Sequence, residues 1–189
     1  VFDEHPFKVI LDYAHNPAAF SAMADLVDRL EVSGRRLAVV SAPGDRRDED
    51  ITEAATILAG HFDHYICKAD DNRRRRGFDE VPKIIQQGLL DAGVSADAIT
   101  VIASEQEAID HALNIAQEND LLMVFGDDIA RSWKQIIYFK HDSPPFQPEA
   151  PARVEIPAIG LEDLVGEGTT LIRDERGVRL AREMDEDGD

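Results

Sequence analysis

The chain has 189 residues, 43% of them hydrophobic, with a formal net charge of -18. That length supports one domain with a sizeable core, with room for a tail. The acid excess argues against nonspecific contact with nucleic acid or anionic membrane, whose phosphates it would repel, and suits a cationic small-molecule partner or simply solubility.

Cys67 is the single cysteine. It excludes an internal disulfide and a thiolate metal cluster, fits a reducing cytoplasm, and reads as a buried packing residue inside Tyr65-Ile66-Cys67. No apolar run has membrane-spanning length and no signal peptide is visible. The chain starts at Val1 rather than Met, as a processed product or a fragment of something longer would.

Lys8 to Leu11 reads as a first strand. Pro17 to Leu30 reads as a helix, with Phe20, Met23, Ala24, Val27 and Leu30 on one face. Pro17 suits the first turn because it has no N–H to leave unpaired. Leu37 to Val40 is a second strand, and Asp48 to Ala59 a second helix stopped by Gly60. His64 to Cys67 is a third strand. The polar loop Lys68 to Gly77 leads to a helix over Asp79 to Ala92, ended by Gly93. Ile99 to Ile102 is a fourth strand. Ser104 with Glu107 forms a capping box for a fourth helix. Leu121 to Phe125 is a fifth strand, and Ile129 to Phe139 a last helix.

Beyond it, Pro144, Pro145, Pro148, Pro151 and Pro157 break any helix. Thr169 to Ile172 and Val178 to Leu180 can pair as a hairpin, and Asp185 to Asp189 is an acidic, disordered end. The expected organisation is an α/β domain over 1–140 and a proline-rich extension over 141–189. Strands alternating with helices, and apolar almost throughout, predict a Rossmann-like doubly wound, mostly parallel sheet of about five to six strands.

In such a sheet ligands bind outside the carboxyl ends of the strands. The unusual polar segments all follow strands. They are Asp12-Tyr13-Ala14-His15-Asn16-Pro17, Pro43-Gly44-Asp45-Arg46-Arg47-Asp48, Asp70-Asp71-Asn72 with the run Arg73 to Arg76, and Gly126-Asp127-Asp128. Each also admits a purely structural role. Asp12 suits a helix cap or turn, His15 a satisfied turn, Asp48 an N-cap, Asp127-Asp128 a cap for the last helix, and the arginines a solvated loop. Guanidinium forks also suit carboxylates and phosphates, so the arginine loop can clamp a zwitterion. No P-loop, Gly-x-Gly-x-x-Gly after the first strand, zinc helix, hydrolase elbow or metal cluster occurs in the sequence.

The ordered motifs resemble the C-terminal domain of the Mur ligase family, over roughly Phe7 to Phe139. Its members are ATP-dependent amide ligases. The resemblance implies that a central domain carries the P-loop and Mg2+, that an N-terminal domain holds the acceptor, and that this domain brings the incoming amino acid. ATP phosphorylates the acceptor carboxylate and the amine then attacks the acyl phosphate. It implies nucleotide-side roles for Asp12, His15 and Asn16. It implies amino-acid-binding roles for Arg46, Asp71, Asn72 and Arg74, with Arg73 in place of a motif proline. Gly126 matches the first glycine of a Gly-Lys-Gly-His-Glu segment, from which Asp127 and Asp128 depart. That acidic departure suits a cationic side chain such as arginine. The loop Lys68 to Gly77 looks most like that of cyanophycin synthetases, which attach arginine to an aspartate side chain. No catalytic residue or metal ligand is implied here, and by itself the chain should be silent. The alternative is a stand-alone module that binds a nucleotide or basic amino acid without chemistry.

Overall fold

The computed structural model describes residues 1–140 and, beyond them, the backbone of two strands, 169–174 and 177–182. The chain divides into two compact units, Val1–Gln147 and Pro148–Asp189. In the second unit Thr169–Asp174 pairs antiparallel with Gly177–Arg182. The five prolines of the extension and the acidic end lie outside the described residues.

The first unit runs β1 (Lys8–Asp12), α1 (Pro17–Arg29), β2 (Arg36–Val40), α2 (Asp48–Leu58), β3 (His64–Cys67) and α3 (Glu80–Asp91). It continues through β4 (Ile99–Val101), α4 (Glu105–Ile115), β5 (Leu121–Phe125) and α5 (Ile129–Tyr138). Helix ends follow local chemistry. The Asn16 side chain accepts from the Ala19 N–H at 3.0 Å, directly ahead of Pro17. Gly60 and Gly93 follow α2 and α3 with φ of 86° and 92°, a left-handed turn that other residues adopt only under strain. Asp48 is not the N-cap that its position suggests. Arg47 holds that place, and Asp48 is the first helical residue. There its charge, with Glu49 and Asp50, faces the positive end of the helix dipole.

Five parallel strands form one sheet in the order β1-β5-β2-β3-β4. β5 is inserted between β1 and β2, pairing Val124 with Leu11 on one side and Val39 on the other. Burial on both faces explains why all five of its residues, Leu-Leu-Met-Val-Phe, are apolar.

Alternate residues feed two cores. Ile10, Ala38, Val40, Tyr65, Cys67, Met123 and Phe125 pack with α1, α2 and α3. Val9, Leu37, Val39, Ile66, Leu122 and Val124 pack with α4 and α5. Phe20 of α1 meets Phe125 edge-on, with centroids 5.0 Å apart. Cys67 is fully buried, and burial pushes its thiol up to about 12, so it is no nucleophile at neutral pH.

The chain leaves β1, β2 and β3 toward one face and β4 and β5 toward the other. The β5–α5 turn therefore departs on the opposite side from the turns after both neighbouring strands. Such a reversal opens crevices at the carboxyl edge.

Candidate functional site at the carboxyl edge of the sheet

The loops carrying His15, Arg46, Asn72 and Asp127 all follow parallel strands and stand on this one edge. They form two neighbourhoods.

The first lies between α1 and the β2–α2 loop. Asp12 Oδ1 accepts the Ala14 N–H at 2.7 Å, and the Asp12 carbonyl accepts the Gly126 N–H at 3.0 Å. Asp12 thus shapes the turn rather than capping the helix. His15 donates from Nδ1 to the Tyr13 carbonyl at 2.9 Å, a tautomer that leaves Nε2 free to accept. His15, Asn16, Phe20, Pro43, Arg46 and Asp50 are among the residues lining a cleft of about 270 Å³. Two groups that the sequence assigns separately, His15 with Asn16 and Arg46, share that cleft.

The arginine run is not four equivalent forks. Arg76 is spent inside the protein: Nε donates to the Gly44 carbonyl at 2.9 Å and Nη2 to the Arg46 carbonyl at 2.6 Å, while Nη1 pairs with Asp48 and Glu80, each at 2.7 Å. It staples the β3–α3 loop to the β2–α2 loop and so fixes the backbone of Arg46. The loops also touch directly: a Cβ on Gly44 would stand 2.4 Å from the Arg73 carbonyl oxygen, so only glycine fits. Arg73 lies over the Phe78 ring at 5.5 Å. Arg74 and Arg75 turn the chain, with φ of 49° and 77°, and the Asn72 side chain accepts the Arg74 N–H at 3.4 Å. Asn72 and Arg74 are exposed on this loop.

The second neighbourhood gathers around a buried ion pair. Lys68 and Glu105 have side-chain exposures of 0% each and meet at 2.7 Å. Lys68 also donates to Ser41 Oγ at 2.9 Å and stands 3.5 Å from Asp70. Glu105 accepts the N–H groups of Asp127 and Asp128, at 2.7 and 3.2 Å, the Arg131 guanidinium at 2.8 Å and the Ser132 hydroxyl at 3.0 Å. Burial alone would push its carboxyl up, but the Lys68 charge and these donors outweigh it and hold it at about 2. Asp127 Oδ2 accepts the Asp71 N–H at 3.0 Å, and Arg131 pairs with the Asp71 carboxylate. Burial and the nearby Asp70 charge raise the Asp127 pKa. Asp128 caps α5 by accepting the Arg131 N–H at 3.0 Å. A Cβ on Gly126 would stand 2.9 Å from Leu11 Cδ1.

Asp71 and Asp127 thus come together, while Asp128 does structural work beside them. Sequence reasoning misses Lys68, Glu105 and Arg131. Lys68 carries a usable signal, a lysine continuing an apolar strand. Glu105 is masked, because an acid in a first helical turn reads as a dipole complement. Among the described residues no group of three or more His, Cys, Asp or Glu side chains could hold a metal ion, and no helix is long and apolar enough to cross a membrane.

A family model for the Mur ligase, glutamate ligase domain matches residues 1–127. Cyanophycin synthetase from Synechocystis is 37% identical over 132 residues, 70% of this chain and 15% of that protein. Its counterpart from Crocosphaera subtropica is 36% identical, with the same coverage. The UDP-N-acetylmuramoyl-L-alanyl-D-glutamate–2,6-diaminopimelate ligase of Rickettsia montanensis is 29% identical over 63% of this chain and 24% of its own length. A solved ligase of the same name superposes with a TM-score of 0.56 at 23% identity, covering 65% of this chain and 24% of that one. E. coli FolC in complex with DHPP and ADP gives 0.53 at 24% identity, covering 68% and 28%. The chain therefore spans about 15% of the length of the cyanophycin synthetases it matches. With the parallel sheet and the ordered loops at its carboxyl edge, the match over residues 1–127 establishes that the chain belongs to the Mur ligase glutamate ligase domain family.

Proposed function

We propose that this domain is the amino-acid-bringing lobe of an ATP-dependent amide ligase of the cyanophycin synthetase type, and that the amino acid is cationic, arginine being the best fit. The observation that carries the reading is the carboxyl edge itself. Asp70, Asp71 and Asp127 crowd their carboxylates there around Lys68 and Arg131, cations that Glu105 already shares, and burial first, then the Asp70 charge, raises the Asp127 pKa. A ligand guanidinium or ammonium would relieve that crowding.

The adjoining cleft suits the nucleotide side. His15 Nε2 and the Asn16 turn offer polar groups beside the apolar wall of Phe20 and Pro43, while Arg46, to which the resemblance gives an amino-acid contact, lines the same cleft. The His15 and Asn16 groups fit a ribose and base edge. They do not fit a triphosphate with Mg2+, since these 189 residues contain no P-loop and the described residues hold no metal set. Both groups are assigned to a central domain of the same polypeptide, and an N-terminal domain is assigned the acceptor. The acceptor carboxylate takes the terminal phosphoryl group of ATP, releasing ADP. The amine then attacks the acyl carbon, expelling phosphate and losing its proton. This domain's part is to hold the amine in line and keep water away. These 189 residues alone are expected to be catalytically silent, in the cytoplasm or in a test tube.

The test is phosphate release by the protein expressed from its full reading frame, with ATP, Mg2+ and an acidic acceptor, as single amino acids are added. Arginine or lysine should stimulate release and aspartate should not. Calorimetry of the 189-residue chain against arginine and ATP runs beside it. Tight binding here without amino-acid-dependent phosphate release from the full protein would replace this reading with a stand-alone binding module.

A further inference from the structure

Glu105 belongs to none of the motifs that carry the family likeness and Lys68 only opens the loop that does, yet their pair sits beneath the proposed amino-acid site. Its two residues come from different crossovers: Lys68 directly follows β3, and Glu105 opens α4. Both oxygens of Glu105 are occupied. Oε2 takes Lys68 and the Asp127 N–H, and Oε1 takes the Asp128 N–H, Arg131 and Ser132. With five donors on one carboxylate, Glu105 has no capacity left for a ligand. It is an internal hub.

The hub reaches the rim along two routes. Asp127, whose N–H is fixed on Glu105, accepts the Asp71 N–H through its own carboxylate. Arg131, whose guanidinium is fixed on Glu105, grips the Asp71 carboxylate. Asp71 therefore hangs from two groups that share one anchor. The cleft residues His15, Asn16 and Arg46 make no hydrogen bond to Glu105. Cohesion does not call for such a pair, because packed apolar side chains of similar volume serve a core as well or better. What the pair adds is a fixed place for the turn, whose two adjacent N–H groups, of Asp127 and Asp128, both end on Glu105.

We propose that Glu105, clamped by Lys68, is the positioning residue of the amino-acid site: it sets the Gly126–Asp128 turn and, through Asp127 and Arg131, the Asp71 loop, so that the rim is formed before the amine arrives. The assignment of that rim to an amino acid rests on the proposed function; the positioning itself does not.

The experiment has two arms, using Glu105→Gln and the double variant Lys68→Met/Glu105→Gln, which removes both charges and leaves none buried alone. In the 189-residue chain, amide hydrogen exchange at Asp71, Asp127 and Asp128 should quicken by about tenfold or more, as expected for lost hydrogen bonds, while amides of α2 and α3 keep their protection. In the full-length protein, KM for the amino acid should rise about tenfold and KM for ATP should stay within about twofold. The double variant, folded without an orphan charge, should show the same pattern. Unchanged exchange at the three amides in a folded variant overturns the positioning role. An equal rise in both KM values overturns its confinement to the amino-acid side. If the parent protein uses no amino acid at all, the ligase reading fails, and the exchange arm still decides what Glu105 does.

Discussion

Along the carboxyl edge, the cleft beside α1 and the cluster beneath the β5–α5 turn hold opposite kinds of polar group. In the cleft, His15 keeps one ring nitrogen uncommitted and the Arg46 side chain lies exposed, held only through its backbone. In the cluster, Lys68 and Glu105 are wholly buried and bonded to capacity. The first arrangement leaves donors and acceptors for a ligand. The second uses them to fix the chain. Family motifs mark the first kind and reach the rim of the second, whose anchor, Glu105, they omit.

Replacing one member of the buried pair tests the contrast most severely. Lys68→Met leaves Arg131 as the one cation on the buried Glu105 carboxylate and should cost about 3 kcal/mol in urea unfolding, the lower end for a broken buried pair. The double variant with Glu105→Gln should recover most of that loss. A loss under about 1 kcal/mol for Lys68→Met, the usual worth of an exposed pair, would erase the distinction.

Acid should expose the same difference. Glu105 is held at about 2 against an ordinary value of 4.5. Its folded pKa is depressed, so its contribution is complete above 4.5 and drains as pH falls toward 2. The amount is on the order of 3 kcal/mol. Urea midpoints across that window should show the decline in the parent and a flatter one in the double variant.

Arg76 lies between the extremes, with its side chain 16% exposed and four partners, two of them carbonyls. Arg76→Met should cost about 1–2 kcal/mol by the same measurement. Arg76→Lys should not restore it, because a single ammonium cannot span all four acceptors.

The smallest stability effect belongs to the cleft. His15→Ala and Arg46→Ala should leave unfolding free energies within about 0.5 kcal/mol of the parent. In the full-length protein each should nonetheless weaken the KM of a substrate by about tenfold, the scale of one lost charged hydrogen bond. A large loss of stability would move these residues into the scaffold.

Periodicity made the elements legible because helix and strand impose their spacing on neighbouring residues. β3 and β5 have the bounds that their apolar runs suggest, and Pro17 and Gly60 mark helix ends through backbone chemistry alone. The edge on which the motif loops gather was legible too, since parallel strands send every following loop to the same side. Lys68 and Glu105 are different. They stand 37 positions apart in the sequence, and nothing local to either names the other. Their meeting depends on β4 lying beside β3, and the donors from Asp127 and Arg131 depend on β5 returning to the interior of the sheet between β1 and β2. Local side-chain pattern determined which segments became strands, helices and polar loops. Strand order, a property of the whole chain's packing, decided which of the buried charges found one another.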